Sequence, residues 1–244
     1  MGTVIAITSG KGGTGKTSVT GGIAASLALM GRNVLCIDMD IGLRNLDISL
    51  GLSDRALMDF SDVALGRCPL ARAVVEHPDL KGLSLLSAPM TMPASLTSDK
   101  VRALLAEARA GYDYILIDSP AGLGPGFQLA TRGVDRAIVI ATNDASSLRD
   151  AQRTVAELDH LKTIHLVMNR IQTKLLRKLR TTIDDAMDTA GLPLIGVVPE
   201  DPQVILCANL GHPLTTRGKR GAALACWNIA QRLEGQRVPI MRIR

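Results

Sequence analysis

Eight consecutive residues, Gly10-Lys11-Gly12-Gly13-Thr14-Gly15-Lys16-Thr17, follow a β-branched run and open a helix-like stretch. They satisfy the spacing G-x-x-x-x-G-K-[ST] in the strand-to-helix setting that this pattern needs. Closely spaced glycines let the backbone curl until its N–H groups converge on phosphate oxygens. The helix N-terminus behind them adds partial positive charge. Lys16 is expected to reach the β- and γ-phosphates and the Thr17 hydroxyl to bind Mg²⁺, with Ser18 completing the nucleotide-binding loop. A glycine turn with no ligand is the competing reading, and the complete match disfavours it.

Carboxylates and an amide recur where other strands end. Asp38 closes the strand-like run Asn33–Asp38, and Asp40 follows two residues later. Asp118 closes the apolar run Tyr112–Asp118, and Asn169 closes Thr163–Asn169. Strand-end carboxylates beside a Mg·nucleotide can hold metal-bound waters or orient the attacking water. Asp118 is therefore expected on the metal side, its carboxylate reaching Mg²⁺ through water. The bland alternative for Asp38 and Asp40 is a pair of helix-capping aspartates. The Asn169 amide matches the donor and acceptor edge of adenine.

These groups need a scaffold that gathers strand ends. Strands are expected at Thr3–Thr8, Asn33–Asp38, Gly82–Ser87, Tyr112–Asp118, Arg136–Thr142, Thr163–Asn169 and Pro193–Val198. Helices are expected at Gly15–Met30 (stopped by Gly31), Ser98–Ala110, Ser146–His160 and Lys219–Leu233. Strand–helix alternation with near-continuous apolar strands indicates an α/β fold: a single doubly wound domain, its mostly parallel sheet covered by helices on both faces. Ligands of such sheets sit beyond the carboxyl ends of the strands.

The composition agrees. The chain has 244 residues, 46% apolar and 21% charged, which suits one globular domain without a disulfide or metal staple. Aromatics at 2% argue against a base-stacking surface for single-stranded nucleic acid. Cys36, Cys68, Cys207 and Cys226 form no CxxC pair and read as buried free thiols in a reducing cytoplasm. The chain starts without signal-peptide character, and no apolar run reaches the roughly 18 residues of a membrane span. The net charge of +5 is concentrated after Leu214, where Arg217, Lys219, Arg220, Arg232, Arg237, Arg242 and Arg244 face only Glu234. That segment is either a solvated basic face or a contact for an anionic partner.

Lys11, at the second position of the loop, makes K-G-G-T-G-K-T, which resembles the deviant Walker A signature of the MinD/ParA family of P-loop ATPases. The resemblance implies that Lys11 reaches the partner subunit's phosphates in an ATP-sandwich homodimer. There Lys11 would act with Lys16 and a water-positioning Asp40 in slow, partner-stimulated hydrolysis of ATP with Mg²⁺. The run D-M-D-I-G-L-R-N-L-D at 38–47 is similar to switch I of the MinD branch, which implies that Asp38 is the metal-side neighbour of Asp40, and D-S-P-A-G at 118–122 is similar to its switch II. Pro199-Glu200-Asp201 matches a base-lining run, so Pro199 and Asp201 join Asn169 as adenine contacts by resemblance. Thr142–Asp150 departs from the family's T-x-P-E-x-S-x-x-R-D, with Asn143 and Asp144 in place of Pro and Glu. The shorter Asp144 puts a cross-dimer ribose contact in question, and it is read as the start of a helix instead.

The resemblance spans residues 1–234, leaving a basic, apolar tail at 235–244. For the MinD branch it implies a regulator of division-site placement that is cytoplasmic and reversibly peripheral on the inner membrane. Its partners would be division-inhibitor and ATPase-stimulating proteins of MinC-like and MinE-like type. The tail departs from the usual amphipathic membrane helix: Pro239 opens barely more than one turn, with Ile240 and Ile243 on one side. Burying three apolar side chains contributes roughly 4–8 kcal/mol, and ordering six residues costs about 6–12 kcal/mol. One tail should thus bind an anionic membrane weakly, and two on a dimer better. The alternative is a tail packed as an edge strand or disordered. Two other roles stay open: a FlhG-type flagellar-number regulator, which usually carries an extension before the first strand, and a ParA-type DNA partitioner. Lys174, Arg177, Lys178 and Arg180 could serve the latter. They read better as a solvated helix face with Leu175, Leu176, Leu179 and Ile183 inward, so specific nucleic-acid binding is not expected.

Overall fold

The computed structural model describes residues 1–241. Its strands are β1 (Thr3–Thr8), β2 (Val34–Asp38), β3 (Val75–Glu76), β4 (Leu83–Leu86), β5 (Tyr114–Asp118), β6 (Arg136–Ala141), β7 (Ile164–Ile171) and β8 (Leu194–Pro199). Its helices are α1 (Lys16–Leu29), α2 (Leu46–Leu50), α3 (Phe60–Ala64), α4 (Leu70–Ala73), α5 (Ser98–Ala108), α6 (Pro125–Thr131), α7 (Ala145–Glu157), α8 (Thr173–Leu179), α9 (Ile183–Ala190), α10 (Pro202–Asn209) and α11 (Gly221–Leu233). A 3-10 turn spans Leu214–Arg217.

The strands form one sheet in the order β3-β4-β2-β5-β1-β6-β7-β8, parallel throughout except for the short β3–β4 pair. Alternation along β1 shows why the strands are apolar on both sides. Ile5 and Ile7 belong to one core and Val4 and Ala6 to another on the opposite face. The first core joins α1 and α11. A Cβ on Gly22 would stand 2.6 Å from Cys226 Sγ, so the missing side chain lets these two helices pack closely. The doubly wound architecture read from the sequence is the one observed.

Two readings are corrected. Leu175 and Leu179 do not point inward: they are 43% and 49% exposed, and α8 buries no residue. The stripe breaks because α8 stops at Arg180 in a left-handed conformation (φ 53°). A new helix, α9, then starts behind the Thr182–Asp185 capping box. The turn of helix expected from Pro239 does not form within the described residues, where 236–241 carry no helix. Ile243 lies outside the described residues.

The basic C-terminal segment is partly consumed within the fold. Lys219 Nζ stands 3.1 Å from the centre of the Trp227 ring. Arg232 and Arg220 also belong to α11 and its start, and Arg232 is engaged with backbone carbonyls. Cys36, Cys207 and Cys226 are buried free thiols, and Cys68 is partly exposed.

Candidate nucleotide and magnesium site

Sheet register creates the centre of the site. β2 and β5 pair so that Asp38 lies directly beside Asp118. The Ser119 amide donates to Ile7 O at 3.1 Å, which brings the end of β1 and the glycine loop alongside. Both carboxylates are only 1% exposed. Asp38 accepts from the Asp40 and Leu46 amides at 2.9 and 3.1 Å, so it also pins the segment that follows β2. The capping alternative is thus partly realised, since Leu46 opens α2.

Burial pushes the Asp38 pKa up to about 6, against the pull of those two amides. Burial, reinforced by Asp38, pushes Asp118 up to about 7, while the Thr17 hydroxyl and Lys16 oppose the rise. Asp40 is half-buried and also raised by burial, with Lys16 pulling it down. Lys16 donates to Ser9 Oγ at 3.0 Å, and burial lowers its pKa against the attraction of Asp118 and Asp40. Asp118 and Asp40 thus face one buried ammonium, and Asp38 adds its charge beside Asp118, an excess of negative charge that a divalent cation relieves. The donor set of carboxylates and a threonine hydroxyl suits Mg²⁺. Among the described residues no three His, Cys, Asp or Glu side chains form an all-protein cage. A Mg²⁺ that keeps waters and takes phosphate oxygens needs none.

The loop fits phosphate. α1 begins after Gly15 (φ 86°) with no side-chain cap and no acidic residue in its first turn, so its amides are free for an anion. A Cβ on Gly13 would meet nothing within 4 Å, which leaves the rim of the loop open to a ligand. Gly10 has a different reason: its Cβ would lie 2.4 Å from Asp150 O, so α7 itself demands glycine there. Gly12 and Thr14 complete the curl, with Thr14 buried.

Lys11 leaves its own loop. Its ammonium donates to Asp144 Oδ1 at 3.0 Å and Ser146 Oγ at 2.8 Å, both at the start of α7. Asp144 caps α7 through the Ser147 amide at 2.9 Å and also accepts from Thr142 Oγ1 and Ser146 Oγ, each at 2.6 Å. Burial favours its neutral form, but these donors together with Lys11 hold its pKa well below the usual carboxylate range.

Asn169, Pro199, Asp201 and Ser18 line one cavity behind the loop, together with Val198, Ile205 and Cys226. Asn169 Nδ2 donates to Thr14 O at 2.7 Å and ties the end of β7 to the loop. The Asp201 carboxylate is spent on two helix starts, accepting from the Gln203 and Ala222 amides at 2.9 Å each. Asp201 thus both caps two helix starts and lines the wall of the cavity. Sequence reasoning missed Ser9, Ser146 and Arg170. Arg170, left-handed at φ 57°, pairs with Glu200 at 2.8 Å and reaches Gly13 O at 3.3 Å. Its place directly after Asn169 was the available signal.

Residues 5–214 match the family model for the CobQ/CobB/MinD/ParA nucleotide binding domain. The chain is 39% identical over 251 residues to the septum site-determining protein MinD of Bacillus subtilis, covering 98% of this chain and 92% of that protein. Among solved structures it resembles the MinC:MinD cell division protein complex of Aquifex aeolicus, with TM-score 0.92, 38% identity and 98% of each chain covered. It also resembles the septum site-determining protein MinD complexed with Mg-ADP from Pyrococcus horikoshii, with TM-score 0.84, 29% identity and 96% of each chain covered. With its phosphate loop, paired strand-end aspartates and near-full-length identity, this chain belongs to the MinD group of the CobQ/CobB/MinD/ParA nucleotide-binding family.

Proposed function

We propose that this chain is a MinD-type ATPase that uses ATP and Mg²⁺ to switch between a monomer and a membrane-associated homodimer, and so regulates where the cell divides. The observation that carries the reading is the registered Asp38–Asp118 pair beside Lys16, with Lys11 aimed out of its loop.

Mg²⁺, when bound, supplies charge neutralisation for the phosphates. Thr17, Asp38 and Asp118 are the residues that would hold it. The loop amides and Lys16 bind and orient the phosphates. Asp40, half-buried next to Lys16, is the group positioned to orient the attacking water. Lys11 exchanges Asp144 and Ser146 for the phosphates of a second copy, adding the positive charge that one subunit lacks. Asn169 and Pro199 select the base.

A MinC-type division inhibitor is a partner by virtue of the Aquifex complex, and a MinE-type activator follows from the family likeness. No helix among the described residues is long and apolar enough to cross a membrane, so the contact with the inner face of the membrane is peripheral. Pelleting with anionic liposomes in ATP, in ADP and without nucleotide tests the reading. Pelleting in ATP alone is the expected result. Equal pelleting in all three states would remove the switch, and an ATP-dependent shift of duplex DNA would favour a ParA-type role.

A further inference from the structure

After α11 the chain turns back on itself. The Gln236 amide donates to Gln231 O and the Gly235 amide to Arg232 O, each at 3.0 Å, with Gly235 left-handed at φ 78°. This Schellman-type cap sends the following residues toward β8, which is an edge strand of the sheet. An edge strand leaves backbone groups without strand partners, and such groups need covering.

Arg232 provides that cover. Its Nη1 donates to Ile195 O on β8 at 2.8 Å. Its Nε donates to Val238 O at 3.1 Å and its Nη2 to Pro239 O at 2.7 Å. One planar guanidinium thus joins the edge strand to the tail through three charge-assisted bonds, a geometry that an ammonium cannot reproduce. The next two side chains, Ile240 and Met241, line a groove with Leu176 of α8, Met187 of α9, and Leu194 and Val197 of β8, and Met241 also packs against the core that includes Ile195 and Ile229. Ile240 keeps 40% of its surface exposed, so the seat is shallow.

We infer that this groove is a docking site for the chain's own tail, with Arg232 as the clasp, and that the tail and a lipid surface compete for Ile240 and Met241. The competition rests on the membrane contact in the proposed function; the clasp does not. An apolar side chain in the groove is withheld from a bilayer, so docking lowers membrane affinity until the clasp opens. The clasp grips backbone carbonyls, so it holds the tail in place whatever side chains follow.

The test uses the full chain with two substitutions that open the seat by different routes. Arg232→Gln removes the fork, and Met187→Glu puts a charge into the groove. Three readouts are taken: the Met241 methyl NMR resonance, nicking by trypsin after Arg237, and pelleting with phosphatidylglycerol vesicles without nucleotide. In both variants the Met241 resonance should move to its free-peptide position. Nicking and nucleotide-free pelleting should each rise on the order of tenfold, as for the loss of one charge-assisted bond. ATP hydrolysis without lipid should stay at the parental level, showing an intact fold. An unmoved Met241 resonance in Arg232→Gln overturns the clasp. A moved resonance with unchanged vesicle binding overturns the competition. If, in addition, the parent ignores the vesicles in ATP, it is the membrane contact itself that falls and the clasp stands.

Discussion

The Lys11 ammonium lies 3.0 Å from the Asp144 carboxylate, although 133 residues separate them in the chain. The contact is within one protomer and half exposed, so it is weak enough to exchange for a phosphate. Asp144 also caps α7. Asp144→Ala should lower the melting temperature by about 2–4 °C, the effect of about 1 kcal/mol from a lost cap. The same variant should still dimerise, and at a lower ATP concentration than the parent, because Lys11 is no longer held back. Failure to dimerise at saturating ATP in light scattering would mean that Asp144 belongs to the dimer and not to the resting monomer.

The aspartate pair makes the site sensitive to pH. Both folded-state pKa values, about 6 for Asp38 and about 7 for Asp118, stand above the ordinary 3.8. In the nucleotide-free protein this contribution to stability is complete below pH 3.8 and is lost as pH rises through 6 and then 7. Mg²⁺ requires the deprotonated pair and so binds against protons. The thermal shift produced by Mg·ADP should therefore be larger at about pH 8 than at about pH 5.5, where both groups hold protons. Scanning fluorimetry at the two pH values measures it, and equal shifts would contradict the assignment of the pair to the metal.

Asp40 should affect turnover and not binding. It sits beside Lys16 without sharing the buried register of Asp38 and Asp118. Asp40→Ala should retain ATP affinity and slow single-turnover hydrolysis on the order of 10²–10⁴-fold. Hydrolysis at the parental rate would remove Asp40 from the reaction.

Asn169 links the base cavity to the loop through its bond to Thr14 O. Asn169→Ala should weaken ATP binding about tenfold, the value of one buried hydrogen bond, and GTP binding less. Equal losses for both nucleotides in calorimetry would leave Asn169 as a loop support with no part in base selection.

The loop and the strand-end aspartates were legible because their constraints are local: a glycine pattern, a lysine, and a carboxylate closing an apolar run. The β2–β5 register then places Asp38 against Asp118. What escaped depends on distant partners. The hold of Asp201 on the start of α11, 21 residues further on, could not be read from the sequence around it. Leu175 and Leu179 have helical spacing, but α8 ends at a left-handed Arg180 and leaves both about half exposed. The tail reads as a helical turn from Pro239 onward, yet Arg232 ties the carbonyls of Val238 and Pro239 to Ile195 O of β8, and residues 236–241 carry no helix. The short helices α2, α3 and α4 carry too few residues for a clear apolar period.

The most direct measurement of the switch is the molar mass of the Lys11→Ala variant by light scattering in Mg·ATP, beside the parent under the same conditions. The expected result is a dimer for the parent and a monomer for the variant, with nucleotide still bound to the variant. A variant that dimerises in ATP as the parent does would contradict the assignment of Lys11 to a second subunit's phosphates.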